Sequence, residues 1–284
     1  MAEVPSGTAG LQTKKKPRRG MYVLPSLFTA GNIAAGYYAM VQSIQGANMV
    51  NDAVGASAAF DHAAIAILFA AVFDGLDGRV ARATDTTSDF GKEFDSLADV
   101  ITFGVAPSLL AYLWGIQAMW PSLYPIVQDR IVHLGGVICF LFLIAGACRL
   151  ARFNISVNPQ PRNPGRPGRK YFVGMPIPAG ASVLATVVHF EDGSPIHDVW
   201  MSALWLALIA ATGFLMVSSW RFWSGKELNF GERKPVRAVL LVAVFLGIVL
   251  VFSRYVLIAM AMAYLVSGVL ARLAYSWGKR KATV

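Results

Sequence analysis

Eight apolar runs divide the 284-residue sequence, near 25–44, 57–82, 92–117, 132–153, 174–190, 199–219, 236–252 and 255–275. A helix needs about 20 apolar residues to cross the hydrocarbon core of a bilayer. Inside that core each backbone N–H and C=O must find a partner within the chain, and a helix supplies those partners locally. The pattern therefore predicts an all-α fold, a polytopic membrane helical bundle of about eight transmembrane helices. The fifth and seventh runs are short, and only a tight turn near Ser253–Arg254 separates the last two. Charged residues make up 14% of the chain, against about 25% in soluble domains.

Charge placement orients the bundle. With eight spans both termini share a side, and of the 25 Lys and Arg residues all but Arg130 and Arg254 fall there. Basic residues concentrate in cytoplasmic connections. The basic side is thus expected to face the cytoplasm, with the chain in the cytoplasmic (inner) membrane. The same bias accounts for the net charge of +9 without nucleic acid. Residues 1–20, with the basic run Lys14 to Arg19, read as a disordered cytoplasmic tail rather than a secretory signal. Residues 21–284 read as the transmembrane domain, its core at about 24–220 with two further spans behind it. Cys139 and Cys148 lie on opposite sides of one span, so no disulfide is expected. No internal repeat or inverted pair of broken spans occurs, which weakens a transporter reading.

The chemistry concentrates in one place. Seven of the 16 acidic residues lie between Asp74 and Asp99. Ionisable groups inside or at the end of a span are costly and mark function. At about 100° per residue, Asp74, Asp77, Gly78, Ala81 and Arg82 share one face of the second span. On the third span Gly91, Asp95, Asp99, Thr102 and Ala106 share a narrower face, while Glu93 points away to solvent. The connection Ala83–Phe90, which carries Asp85 and Asp89, is short enough to force an antiparallel hairpin. The two aspartate pairs can then face each other. Two such aspartates alone read equally well as a proton relay or an ion-pair staple. Four converging carboxylates with no Cys or His nearby suit a hard divalent cation, Mg²⁺ or Mn²⁺. Gly78, Ala81 and Gly91 leave space beside it, and Arg82 adds a cationic fork suited to phosphate. Metal, space and arginine together describe a site for a diphosphate.

The string Asp74-x-x-Asp77-Gly78-x-x-Ala81-Arg82, eight residues, then Gly91-x-x-x-Asp95-x-x-x-Asp99 resembles the signature of the CDP-alcohol phosphotransferases. All eight signature positions match. Within that family, Leu24–Asn32, Phe103–Pro107, Arg149–Asn154 and Gly174–Ala179 resemble segments of the bacterial integral-membrane phosphatidylserine synthases. Ser26 departs from the asparagine common there. The resemblance implies a metal-dependent transfer of a phosphatidyl group from CDP-diacylglycerol to L-serine, releasing CMP. It implies Asp74, Asp77 and Asp95 as metal ligands. Asp99 is implied as general base, touching the second metal as well. Asp77, Gly78, Ala81 and Arg82 would line the nucleotide and phosphate pocket. A homodimer is expected on the same ground.

Serine needs a cation for its carboxylate. Arg149 and Arg152 are candidates, with Asn154 as a polar partner; the competing reading is plain positive-inside anchoring. Asn158–Lys170, rich in Pro, Gly and Arg, reads as a basic solvated loop or as a flap over the site. The four histidines, His62, His133, His189 and His197, are expected at the opposite membrane side, away from catalysis. Two rivals remain: the same chemistry with glycerol-3-phosphate or inositol phosphate, and a metal-ion transporter.

Overall fold

The computed structural model describes residues 23–49, 51–83, 89–119, 124–155, 171–223 and 235–282. Helices α1 (Val23–Asn48) and α2 (Ala53–Ala83) pack along each other as the first hairpin. The third run is one continuous rod built from α3 (Asp89–Val100), a π-turn (Ile101–Val105), α4 (Ala106–Tyr112) and a second π-turn (Leu113–Gln117). Then come α5 (Pro125–Ile155), α6 (Ile177–Phe190), α7 (Val199–Val217), α8 (Pro235–Val251) and α9 (Ser253–Ala282). Every run expected from hydropathy is thus helical. Five segments are long and apolar enough to cross a bilayer: Ala53–Gly75, Phe90–Gln117, Pro125–Ile155, Val199–Val217 and Ser253–Tyr275. Helices α6, with 14 residues, and α8, with 17, are shorter. The chain is a multi-pass membrane bundle.

The first π-turn has a local cause. Pro107 cannot donate to the Phe103 carbonyl, and its ring would crowd that oxygen in a regular helix. The turn widens just before it, with the Ala106 N–H bonded to the Ile101 carbonyl. Such turns often mark functional segments, and this one begins two residues after Asp99.

The core runs through the middle of the bundle. Phe60, Ile67, Phe103, Leu110, Trp114, Phe142, Ile177 and Ile209 are fully buried. Large apolar side chains on α5, α8 and α9 remain exposed, among them Leu141, Phe140, Leu246 and Leu270, as expected of a lipid-facing surface. Helix α9 packs on α6, and α8 contacts α9.

Hydropathy does not reveal a small antiparallel ribbon, β1 (Tyr171–Val173) with β2 (Arg221–Trp223), in register Phe172↔Phe222. It joins the α5–α6 and α7–α8 connections. Gly174 follows β1 at φ 75° and donates to the Trp220 carbonyl at 2.8 Å. A Cβ there would lie 2.8 Å from the Ser218 carbonyl oxygen, so the position requires glycine.

The other end of the bundle is tied by side chains. His189 of α6 places Nδ1 2.5 Å from Asp61 Oδ1 of α2 and Nε2 2.9 Å from Ser253 Oγ of α9. The carboxylate accepts, so Nδ1 donates; in the neutral ring Nε2 accepts the serine hydroxyl. Arg254 pairs with Asp192, and the Asp198 carboxylate caps α7 through the N–H groups of Trp200 and Met201 at 2.9 Å.

Candidate active site

The α2–α3 hairpin brings Asp74, Asp95 and Asp99 together. One carboxylate oxygen from each lies within 4.8 Å of the others, and Asp74 and Asp99 are hydrogen-bonded to each other. The placement follows from helical phase. Asp95 and Asp99 are four residues apart on one face of α3, and Asp74 lies in the C-terminal third of α2 facing them. Asp99 is buried, at 8% exposure, whereas Glu93 is exposed.

Carboxylates this close need a proton or a cation between them. The donor set is all oxygen, with no sulfur or imidazole in the group, which matches a hard divalent cation rather than zinc. Asp95 Oδ1 is also buried without a hydrogen-bond partner among the described residues. A buried acceptor left unmade costs about 1–3 kcal/mol, so a ligand that pairs with it is favoured. The residues present fit a divalent cation.

Asp77, Gly78, Ala81 and Arg82 lie on the backbone of α2, but their side chains fall outside the described residues, as do those of Asp85 and Asp89. Asn158–Lys170 also falls outside them.

The end of α5 approaches the same site. Arg149 is buried at 7% exposure, within electrostatic reach of Asp99 and of Tyr264 on α9, and its Nε has no hydrogen-bond partner among the described residues. Arg152 is held differently. Its guanidinium donates to the carbonyls of Val217 (3.0 Å), Val173 (3.3 Å) and Ser218 (3.3 Å). A cation at the C-terminus of α7 satisfies carbonyls the helix leaves open and opposes its dipole. Arg152 therefore fastens the β-ribbon to α7 beneath Arg149. Asn154 Nδ2 donates to Ser96 Oγ at 2.9 Å, tying the end of α5 to α3 one residue from Asp95.

Reading the sequence by helical phase misses one residue here. Asn32 of α1 is fully buried, and neither atom of its side-chain amide has a partner among the described residues. Its backbone carbonyl accepts from Thr102 Oγ1 at 3.0 Å, one turn from Asp99. The signal available was a polar residue inside an apolar run.

Comparison with known proteins bears on this site directly. The family model described as CDP-alcohol phosphatidyltransferase matches residues 22–191. That stretch holds α1 through α6 and all three clustered aspartates. A Helicobacter pylori protein named CDP-diacylglycerol–serine O-phosphatidyltransferase is 36% identical over 254 residues, 89% of this chain and 92% of its own. A Mycobacterium tuberculosis protein of the same name is 34% identical over 215 residues, 72% of this chain and 63% of its own. A third from Methanocaldococcus jannaschii is 35% identical over 156 residues, 55% and 61% of the two chains.

Proposed function

We propose a reaction for this chain on one premise: it belongs to the CDP-alcohol phosphatidyltransferase family. It transfers the phosphatidyl group of CDP-diacylglycerol to the hydroxyl of L-serine, giving phosphatidylserine and CMP. The observation that carries this reading is the cluster of Asp74, Asp95 and Asp99. It lies within a match that spans most of this chain and of a relative named for that reaction.

Asp74, Asp77 and Asp95 would hold Mg²⁺ or Mn²⁺, with Asp99 at their edge. A bound divalent cation supplies charge neutralisation of the diphosphate and of the departing phosphate. The side chains of the chain do the rest. Asp99 accepts the proton of the serine hydroxyl as its oxygen bonds to the phosphatidyl phosphorus. The phosphorus–oxygen bond to CMP breaks, and CMP keeps the electron pair. Asp77, Gly78, Ala81 and Arg82 line the nucleotide and phosphate pocket, where Arg82 offers a planar fork to phosphate oxygens. Arg149, buried beside Asp99, takes the serine carboxylate. Arg152 serves as a positioning residue, since its guanidinium already donates to three backbone carbonyls. Asn154 supports the same end of α5.

The basic-residue bias supports placing this site at the cytoplasmic face of the cytoplasmic membrane. Water-soluble serine and the cation then reach it from the cytoplasm while the lipid donor arrives within the leaflet. A homodimer is the assembly we expect.

An acceptor panel tests the reaction. Full-length protein in liposomes is given CDP-diacylglycerol, Mg²⁺ and, in separate reactions, L-serine, glycerol-3-phosphate or inositol phosphate. Release of CMP only with serine is the expected result. CMP release with a phosphorylated acceptor and none with serine overturns the choice of alcohol. Ion flux without any CMP release overturns the enzyme reading.

A further inference from the structure

The structure assigns a role to Asn32: its side-chain amide contacts the ammonium group of the amino-acid acceptor. This rests on the reading that the acceptor is serine.

Three observations lead there. Asn32 has no solvent exposure, yet Oδ1 and Nδ2 are both unpaired among the described residues. A buried amide left unsatisfied by the described residues is destabilising, so its presence needs another reason. Second, its location is fixed against the base. Thr102 Oγ1 donates to the Asn32 carbonyl at 3.0 Å, and Thr102 lies in the π-turn that continues α3, three residues after Asp99. At Gly36, one turn further along α1, a Cβ would lie 2.7 Å from Thr102 Oγ1, so the two helices touch directly at this level. Side chains on a helix lean toward its N-terminus. From the Thr102 level, the Asn32 amide therefore leans back along α1 toward the carboxylates.

Third, the chemistry of the amide selects a ligand. Its carbonyl oxygen can only accept, and its NH2 can only donate. A phosphorylated alcohol offers Oδ1 no donor except its own hydroxyls, one of which must face Asp99. A zwitterionic amino acid offers an ammonium to Oδ1 and a carboxylate to a cation. Arg149, whose Nε has no partner among the described residues and which lies within electrostatic reach of Asp99, is that cation. Asn32 and Arg149 thus recognise opposite ends of one acceptor while its hydroxyl faces Asp99.

The test is a pair of variants, Asn32→Ala and the near-isosteric Asn32→Leu, in full-length protein. The Michaelis constants for serine and for CDP-diacylglycerol and the apparent melting temperature are measured together. 3-Hydroxypropionate, which has the hydroxyl and carboxylate of serine and no donor in place of the ammonium, serves as a comparison acceptor. We expect the serine KM to rise about tenfold or more, with the donor KM within about twofold of wild type. The preference for serine over 3-hydroxypropionate should fall by a similar factor. The melting temperature should hold or rise, because an unpaired buried amide has gone. An amide kept only for packing predicts the reverse: lower melting temperature and an unchanged serine KM. Either an unchanged serine KM or an equal loss for both substrates overturns the assignment. If wild-type protein makes no phosphatidylserine at all, the serine reading fails and the ammonium contact falls with it. If wild type does so and Asn32→Leu matches it, Asn32 alone is misassigned.

Discussion

The two ends of this bundle treat polar side chains in opposite ways. At one end His189, Asp61 and Ser253 complete one another's hydrogen bonds across α6, α2 and α9, with Arg254 and Asp192 paired beside them. At the other, Asp95 Oδ1, the Asn32 amide and Arg149 Nε are buried without partners among the described residues. Three carboxylates there crowd within 4.8 Å. Burial of polar groups is costly in both places. The His189 network recovers that cost among the described residues, although Trp114 Nε1 and Ser202 Oγ at the same end are buried without partners there, whereas the charged groups at the aspartate end do not. A satisfied network holds helices together. At the aspartate end the unpaired groups surround carboxylates that suit a cation, and that combination marks a place where something binds. By that contrast a Ser-His-Asp constellation reads as a fastening and a cluster of aspartates as the place of reaction, although the residue types alone favour neither.

The contrast breaks most visibly at Asp99. Asp99→Asn removes the proposed proton acceptor and should lower the rate of CMP release by about a thousandfold or more. Its melting temperature should not fall, since one member of a repelling cluster is neutralised. Retained activity would end the assignment of Asp99 as base. His189→Ala should do the converse. Loss of a mostly buried ring and its two hydrogen bonds costs about 2–4 kcal/mol of stability, with the serine and donor KM values unchanged. Thermal denaturation in detergent beside the CMP assay checks both halves. A His189 variant with normal stability and a lost rate would put chemistry at the wrong end.

Arg152→Met sharpens the boundary between the two behaviours. It leaves carbonyls at the C-terminus of α7 unpaired, and we expect about 1–2 kcal/mol of destabilisation with a modest rise in serine KM. A loss of serine binding as deep as that of Arg149→Met, at unchanged stability, would make Arg152 a direct contact. The smallest effect is expected for Arg254→Ala. Its pair with Asp192 is about half exposed on both sides, and such pairs contribute about 0.5 kcal/mol. A shift of several degrees in melting temperature would show that this pair matters more than its exposure allows.

What could be read from the sequence depended on how far apart the partners lie in it. Asp74, Asp95 and Asp99 were legible because helical phase and one short connection fix them locally, and the same phase sends Glu93 to solvent. The eight helical runs were legible because apolar length alone specifies them. The partners of Arg152 lie 65 and 66 residues away across the α7 terminus. Those of His189 lie 128 and 64 residues away. No periodicity links such positions, so the network at the far end and the β-ribbon emerge only from tertiary packing. Asn32 falls between these cases. It stood inside a segment resembling other synthases, but its unpaired state is a property of the packed bundle.

Ligand-induced stabilisation tests the contrast most directly. The melting temperature of the full-length protein is measured with and without saturating CDP-diacylglycerol and Mg²⁺, for wild type, Asp95→Asn and His189→Ala. A ligand that binds only the folded state stabilises it by about 2.7 kcal/mol at a hundredfold excess over its dissociation constant. The account predicts an upward shift in wild type and the same shift in His189→Ala from a lower baseline. It predicts little or none in Asp95→Asn. A full shift in Asp95→Asn, or its loss in His189→Ala alone, would contradict it.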